Sequence, residues 1–284
     1  MSERKSFNYK PLLVIPIILL LVSVGILVNN YNQTGEWFER SIELKGGTLI
    51  NIGLNDNDNT NGLESVLTNN FGSVSFRELS GLSGRSLLIG VEENVDTDAV
   101  LVEIENFGID TGQFSVATIG SSLGDIFWYQ AQIGLVIAFI FMGIIVMFIF
   151  RTFVPSMAVI ISAVSDIIIT LAIMQVFHID LSLAGFAALL MIIGYSVDTD
   201  ILLTTRMLKG TGTLRERVVK TLKTGLTMSV TSIGALTTLL IFGISPLLAQ
   251  IASVLLIGLI VDIIITWLLN ASILRWYMER KGVA

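Results

Sequence analysis

The 284-residue chain has no cysteine, one histidine and four prolines, and charged side chains make up only 14% of it. Without cysteine, disulfide frameworks, thiolate metal sites and thiol catalysis are excluded. The single histidine, His178, cannot build a histidine metal cluster alone. The scarcity of charge goes with 53% hydrophobic residues and a mean hydropathy of +0.79, far more apolar than a soluble domain of this length. The chain therefore reads as a polytopic membrane protein.

Arg4, Lys5 and Lys10 precede an apolar run from Leu12 to Val28, just long enough at about 1.5 Å per residue to cross a bilayer. No small-residue cleavage site follows at Val28-Asn29-Asn30-Tyr31, so this run, with residues 1–28, reads as a cytoplasmic tail and a retained first span. Residues 29–130 are polar, with fifteen acids against four bases, and read as a separate domain. Such acidity serves solubility, or repels anionic surfaces and favours basic or unfolded partners.

Periodicity within that domain predicts strands through Ile50, Ile52 and Leu54, through Val74 and Phe76, through Leu87 to Val91, and through Phe114, Val116 and Thr118. Helices are predicted through Leu63, Val66, Leu67 and Phe71, and through Val100, Ile104 and Phe107 after Asp96 and Asp98. The order β-α-β-β-α-β is that of a ferredoxin-like domain. Gly46-Gly47 at the first strand marks a bulge or a close backbone approach.

Residues 131–284 return to hydrocarbon after Phe127-Trp128-Tyr129, a sequence suited to an interfacial aromatic belt. Spans are expected over Ala131–Phe150, from Pro155 to about Phe177, and over Leu181–Leu203. The uncharged tract from Thr224 to Val261 is too long for one crossing, and Gly243-Ile244-Ser245-Pro246 breaks it into a fifth span and a sixth that continues to Leu269. With the N-terminus cytoplasmic, thirteen of the seventeen lysines and arginines fall inside, in the tail, at Arg151, in the loop 206–223 and at the C-terminus. The expected fold is thus a polytopic α-helical membrane protein: six transmembrane helices, an extracytoplasmic α+β domain between helices 1 and 2, and both termini cytoplasmic. The basic loop suits topology and contact with lipid headgroups, not nucleic acid.

Asp166, Asp198, Asp200 and Asp262 lie within apolar runs, with no basic residue beside them in the same span. A carboxyl taken out of water favours its neutral form, the property a proton relay exploits. The bland alternative is that each bonds Ser or Thr on a neighbouring helix as packing glue. Asp198 and Asp200, two residues apart, point about 200° from one another on a helix and cannot both face one neighbour. Asp198 is preferred as the inward one, Asp200 is second, and Arg206 marks the cytoplasmic boundary. Thr224, Thr227, Ser229, Thr231, Ser232, Thr237 and Thr238 make the fifth span rich in hydroxyls, which either line a polar path or satisfy their own backbone.

Gly194-Tyr195-Ser196, the polar residues after it and Arg206 resemble the fourth-span motif of the SecD/SecF family of protein-export membrane proteins, in its archaeal form, within the resistance-nodulation-division superfamily. Leu44-Lys45-Gly46-Gly47-Thr48 is similar to the Gly-Gly-Thr segment at the start of that family's outer domain. Bacterial members usually place their aspartate where Thr199 stands here, so Asp198 and Asp200 flank that position. The resemblance implies a non-enzymatic subunit of the Sec export machinery with no cofactor or metal. It would pair with a SecD-like subunit at the Sec translocon, assist secretory preproteins, and use the ion-motive force through these acids with Tyr195, Ser196 and Arg206. The alternatives are half of a small-molecule or lipid exporter of the same superfamily and, less favoured for want of a Gly-x-Gly-Asp, an intramembrane aspartyl protease.

Overall fold

A computed structural model describes residues 13–55, 58–81, 84–242 and 245–282. The expected basic tail with Leu12, residues Gly243 and Ile244 of the expected break, and the last two residues lie outside the described residues. In chain order the elements are α1 (Val14–Thr34), α2 (Ile42–Lys45), β1 (Gly47–Leu54), α3 (Leu63–Phe71), β2 (Ser75–Gly81), β3 (Gly84–Val91), α4 (Thr97–Phe107) and β4 (Phe114–Ile119). Then follow α5 (Ser121–Phe150), α6 (Phe153–Val176), α7 (Leu183–Lys209), α8 (Leu214–Phe242), α9 (Pro246–Ile265), a π turn (Thr266–Asn270) and α10 (Ala271–Arg280).

Among the described residues six helices are long and apolar enough to cross a membrane: α1, α5, α6, α7, α8 and the continuous helix Pro246–Arg280. Several outrun the apolar run that announces them. α1 continues six residues past Val28 to Thr34, and α5 begins at Ser121, ten residues before Ala131. A helix carries its own backbone hydrogen bonds into water, so its end is set by capping and not by the edge of the hydrocarbon. α1 stops at Gly35, whose φ of 77° closes the last turn onto the Tyr31 carbonyl.

The small sheet is antiparallel throughout, in the order β2-β3-β1-β4. Its alternation buries Ile50, Ile52 and Leu54 with Leu87, Ile89 and Val91 against α3 and α4, around Leu63, Leu67, Val100 and Ile104. Ile50 pairs with Val116 and Ile52 with Phe114, so β4 presents its apolar side chains on the same face. Phe114 and Val116 nonetheless stay 51% and 42% exposed, because the two helices do not reach that edge.

The sheet is fixed to the helices by backbone contact as well as side chains. Gly46 has φ 87° and ψ 152°, a conformation open only to glycine, and its α-carbon faces the Ser121 backbone. From the other side, a Cβ on Gly124 would lie 2.6 Å from the Gly46 nitrogen. Of the two expectations for Gly46-Gly47, close approach is the one realised. A second tie pairs residues 39–41 with the turn between α6 and α7: Leu181 N–H donates to the Glu39 carbonyl (2.8 Å) and Ser41 N–H to the Leu181 carbonyl (2.9 Å). Trp128 turns inward between Phe38 and Phe186, with the Arg40 guanidinium 5.1 Å from its ring centre. Of the expected aromatic belt, Tyr129 faces outward, 65% exposed.

Candidate functional site: a buried acid and hydroxyl cluster

Three of the spanning helices carry polar residues at i, i+4 and i+8, the spacing that keeps side chains near one face. They are Ser162, Asp166 and Thr170 on α6; Ser196, Asp200 and Thr204 on α7; and Asp262, Thr266 and Asn270 on the last span. All nine are buried. Each row rises about 12 Å, and the rows face one another where α6, α7 and α9 pack.

Contacts between the rows are short. The Ser196 hydroxyl donates to Asp166 Oδ2 at 2.6 Å. Asp200 Oδ1 accepts from Asn270 Nδ2 at 2.7 Å and lies 2.9 Å from Thr266 Oγ1. Thr266 Oγ1 is also 3.0 Å from Asp262 Oδ1. Asp166 Oδ1, Asp200 Oδ2, Asn270 Oδ1, Thr170 Oγ1 and Thr204 Oγ1 have no hydrogen-bond partner. Among the described residues no three of His, Asp and Glu are placed to share a metal ion.

Thr266 decides what this geometry can do. A hydroxyl has one proton to donate and lone pairs to accept with. Both of its carboxyl contacts are hydrogen bonds only when one of the two carboxyls carries a proton and donates it to Thr266. That proton has two placements, on Asp200 or on Asp262. The threonine thus stands between Asp200 and Asp262.

The π turn, which closes with the Ala271 N–H on the Thr266 carbonyl, falls on the residues that hold Asp200. Four residues of α-helix advance a side chain by about 40° beyond a full turn, so Asn270 would drift from the face set by Asp262 and Thr266. The wider π turn takes up that drift and keeps Thr266 and Asn270 both on Asp200.

The expectation that Asp198 faces inward is overturned. Asp200 is fully buried, while Asp198 is exposed on the opposite side of α7 beside Tyr195, which is 42% exposed. The 200° separation holds and the choice between the two acids reverses. Asp166, Ser196, Asp200 and Asp262 come together; Asp198, Tyr195 and Arg206 stand outside. Arg206 donates to the Lys220 carbonyl (3.2 Å) and to Thr224 Oγ1 (3.0 Å), tying α7 to the start of α8. The α8 hydroxyls serve their own helix: Thr224, Thr227, Thr231 and Thr238 each donate to the carbonyl four residues back. The acids draw their donors from Ser196, Thr266 and Asn270 instead. Thr266 and Asn270 escaped sequence reasoning, although their spacing of four and eight from Asp262 is visible in it.

The family described as protein export membrane protein SecD/SecF, C-terminal, matches residues 100–280, which include the whole cluster. The chain belongs to the SecD/SecF family of protein-export membrane proteins. It is 39% identical to the protein-export membrane protein SecF of Pyrococcus furiosus, over 96% of this chain and 92% of that one. To the SecF of Methanocaldococcus jannaschii it is 42% identical, over 95% of this chain and 96% of that one. The crystal structure of SecDF, a translocon-associated membrane protein from Thermus thermophilus, superposes with a TM-score of 0.74 at 17% identity, covering 99% of this chain. This chain spans 40% of the length of that SecDF. The SecD/SecF relatives favour protein export over the small-molecule exporter, and the six apolar helices make the chain a multi-pass membrane protein.

Proposed function

We propose that the chain is an auxiliary subunit of the Sec protein-export machinery. It acts with a SecD-like subunit at the translocon, assists passage or release of secretory preproteins, and draws on the ion-motive force through Asp166, Ser196, Asp200, Thr266 and Asp262. The observation that carries this reading is near full-length identity of 39% to 42% with proteins named for protein export. The relay rests on the threonine held between two buried carboxyls.

Two features support the partner. The chain corresponds to 40% of a SecDF polypeptide, leaving room for a second unit of similar build. Asp198 and Tyr195 stand on a bare face of α7, and a carboxylate on a lipid-facing surface costs from about 2.5 to over 10 kcal/mol. A partner helix covering that face removes the cost. In this reading residues 29–130 form an extracytoplasmic ferredoxin-like domain, supported by the element order and the β2-β3-β1-β4 sheet, and the positive-inside count puts both termini in the cytoplasm.

Purification from native membranes in mild detergent tests the assignment. A SecD-like subunit is expected to accompany the chain, and its deletion to slow secretion of exported proteins. A stable chain that purifies without such a subunit, from cells whose secretion is unchanged by its loss, defeats the proposal.

A further inference from the structure

The face of the sheet turned away from α3 and α4 is only partly packed: Ile42 of α2 covers it at Gly90. Between it, the α6–α7 turn and the start of α9 lies a cavity of about 400 Å³, within the range of ligand sites. Ser115 and Ala117 of β4, Asn51 of β1, Leu88 of β3 and Arg77 of β2 form its floor, so it crosses all four strands. Beyond Arg77 a smaller lobe of about 60 Å³ continues to Asp180 and Ser182. Arg77 lines both lobes and reaches Asp180 at 3.8 Å, so this ion pair divides one elongated cleft in two.

We propose that this cleft binds an extended, uncharged stretch of polypeptide, with the Arg77–Asp180 pair as its internal gate. The inference rests on the export reading and assigns it a contact site in this chain. Four strands about 4.8 Å apart span roughly 14 Å, the length of about four extended residues. Three charged residues line the cleft: Arg77 and Asp180 pair with each other, and Glu43 Oε2 accepts from the Leu183 N–H at 2.9 Å. An anionic ligand, a phosphate-bearing lipid headgroup included, would have to draw Arg77 away from Asp180. What remains is aliphatic surface with three serines, Ser115, Ser245 and Ser253, and two carboxamides, Asn51 on the floor and Gln250 on the α9 wall. A carboxamide both donates and accepts, as a peptide group does. The Asn51 oxygen has no protein partner, so turning it toward a ligand breaks no bond there, and Gln250 already bonds a main-chain carbonyl, that of Asp180, at 3.1 Å.

The test is fluorescence anisotropy of the full chain in phosphatidylcholine nanodiscs, with a labelled eight-residue peptide of alternating Ser or Thr and Val or Ala. Saturable binding is expected, weakened at least tenfold by Asn51→Leu with Gln250→Leu and unchanged by Glu64→Gln on the exposed side of α3. Ser115→Trp, at the exposed edge strand, fills the larger lobe without touching a core and is expected to weaken binding equally while the melting temperature holds. A peptide with Asp and Lys in place of Ser and Thr is expected to bind at least tenfold more weakly, and short-chain phosphatidylglycerol not to compete. Equal binding by the variants, equal binding of the charged peptide, or displacement by the lipid overturns the proposal. If peptide binding fails while a SecD-like subunit still co-purifies, the cleft is wrong and the export reading stands; if the stable chain purifies alone and its loss leaves secretion unchanged, the export reading falls.

Discussion

Asp200→Asn separates relay from scaffold. Asp200 Oδ1 receives Thr266 and Asn270, and an asparagine oxygen can accept both bonds, while the new amide nitrogen takes the Oδ2 position, which has no partner to lose. The fold should therefore lose no more than about 1 kcal/mol, the scale of one net hydrogen bond. Coupling is another matter. A unit charge crossing 100 mV carries about 2.3 kcal/mol, close to fifty-fold in a rate or equilibrium. The Ser196–Thr204 row spans about 12 Å of a core of about 30 Å, so a hop confined to it carries about 0.9 kcal/mol, roughly fivefold. The potential-dependent part of export is thus expected to fall between fivefold and fifty-fold. Export of a reporter into membrane vesicles, with and without an imposed potential, measures it, and thermal unfolding checks the fold. Asp198→Asn in the same assay should keep the potential dependence and weaken recovery of the SecD-like subunit. Full potential dependence in Asp200→Asn, or its loss only in Asp198→Asn, refutes the relay drawn here.

Gly124→Ala should loosen the sheet domain from α5 by about 1 to 3 kcal/mol, because the new methyl meets the Gly46 nitrogen at 2.6 Å; faster proteolysis between residues 35 and 47 reports it, and unchanged cleavage would contradict the close approach. The Glu78 carboxyl is held below its usual range chiefly by the Arg85 guanidinium (2.6 and 2.9 Å), then by Thr60, so its stabilisation is present above pH of about 4.5 and lost as pH falls through the lowered value. Glu78→Gln should cost up to about 1 kcal/mol at neutral pH and nothing in strong acid, read from melting temperature against pH. Asp180 runs the other way: burial pushes its carboxyl up and Arg77 only partly offsets this. Its contribution is full below the ordinary carboxylate value of 3.8 and is lost as pH rises through the raised value, so Asp180→Asn should flatten the melting profile across mild acid.

Alternation placed β1 and β3 because both are buried on one face, and it placed β4 for a different reason than the one that holds there. Phe114 and Val116 alternate as a half-buried strand does, yet they lie on an edge beyond α3 and α4; a strand's pattern records its pleat, not what covers it. The four acids are legible as a set, while the expectation that Asp198 faces inward fails. The information was in the row, not in the residue: Asp200 has Ser196 and Thr204 at ±4, whereas Asp198 has Gly194 and Leu202. A buried carboxyl needs donors on its own face and its neighbours', so polar company at i±4 is the better guide to which side of a span turns inward. The π turn left no such trace, since it depends on how the last span docks against α7.

α7 also explains how a relay in the membrane could move the domain above it. Its first turn begins at Leu183, whose N–H is held by Glu43, two residues after Leu181 pairs main chain to main chain with residues 39 and 41. Glu39 N–H is further bonded to Gln175 Oε1 at the end of α6 (2.8 Å), and Arg77 on β2 reaches Asp180 between the two helices. The helices that carry Asp166 and Asp200 are thus the ones whose joining turn grips the sheet. A shift of α7 relative to α6, favoured when the proton on the Asp200–Thr266–Asp262 trio changes sides, would bear first on the Arg77–Asp180 pair. That pair, at 3.8 Å, is longer than the main-chain bonds beside it, and it divides the two lobes of the cleft. Opening of this pair would enlarge the site proposed for the exported chain.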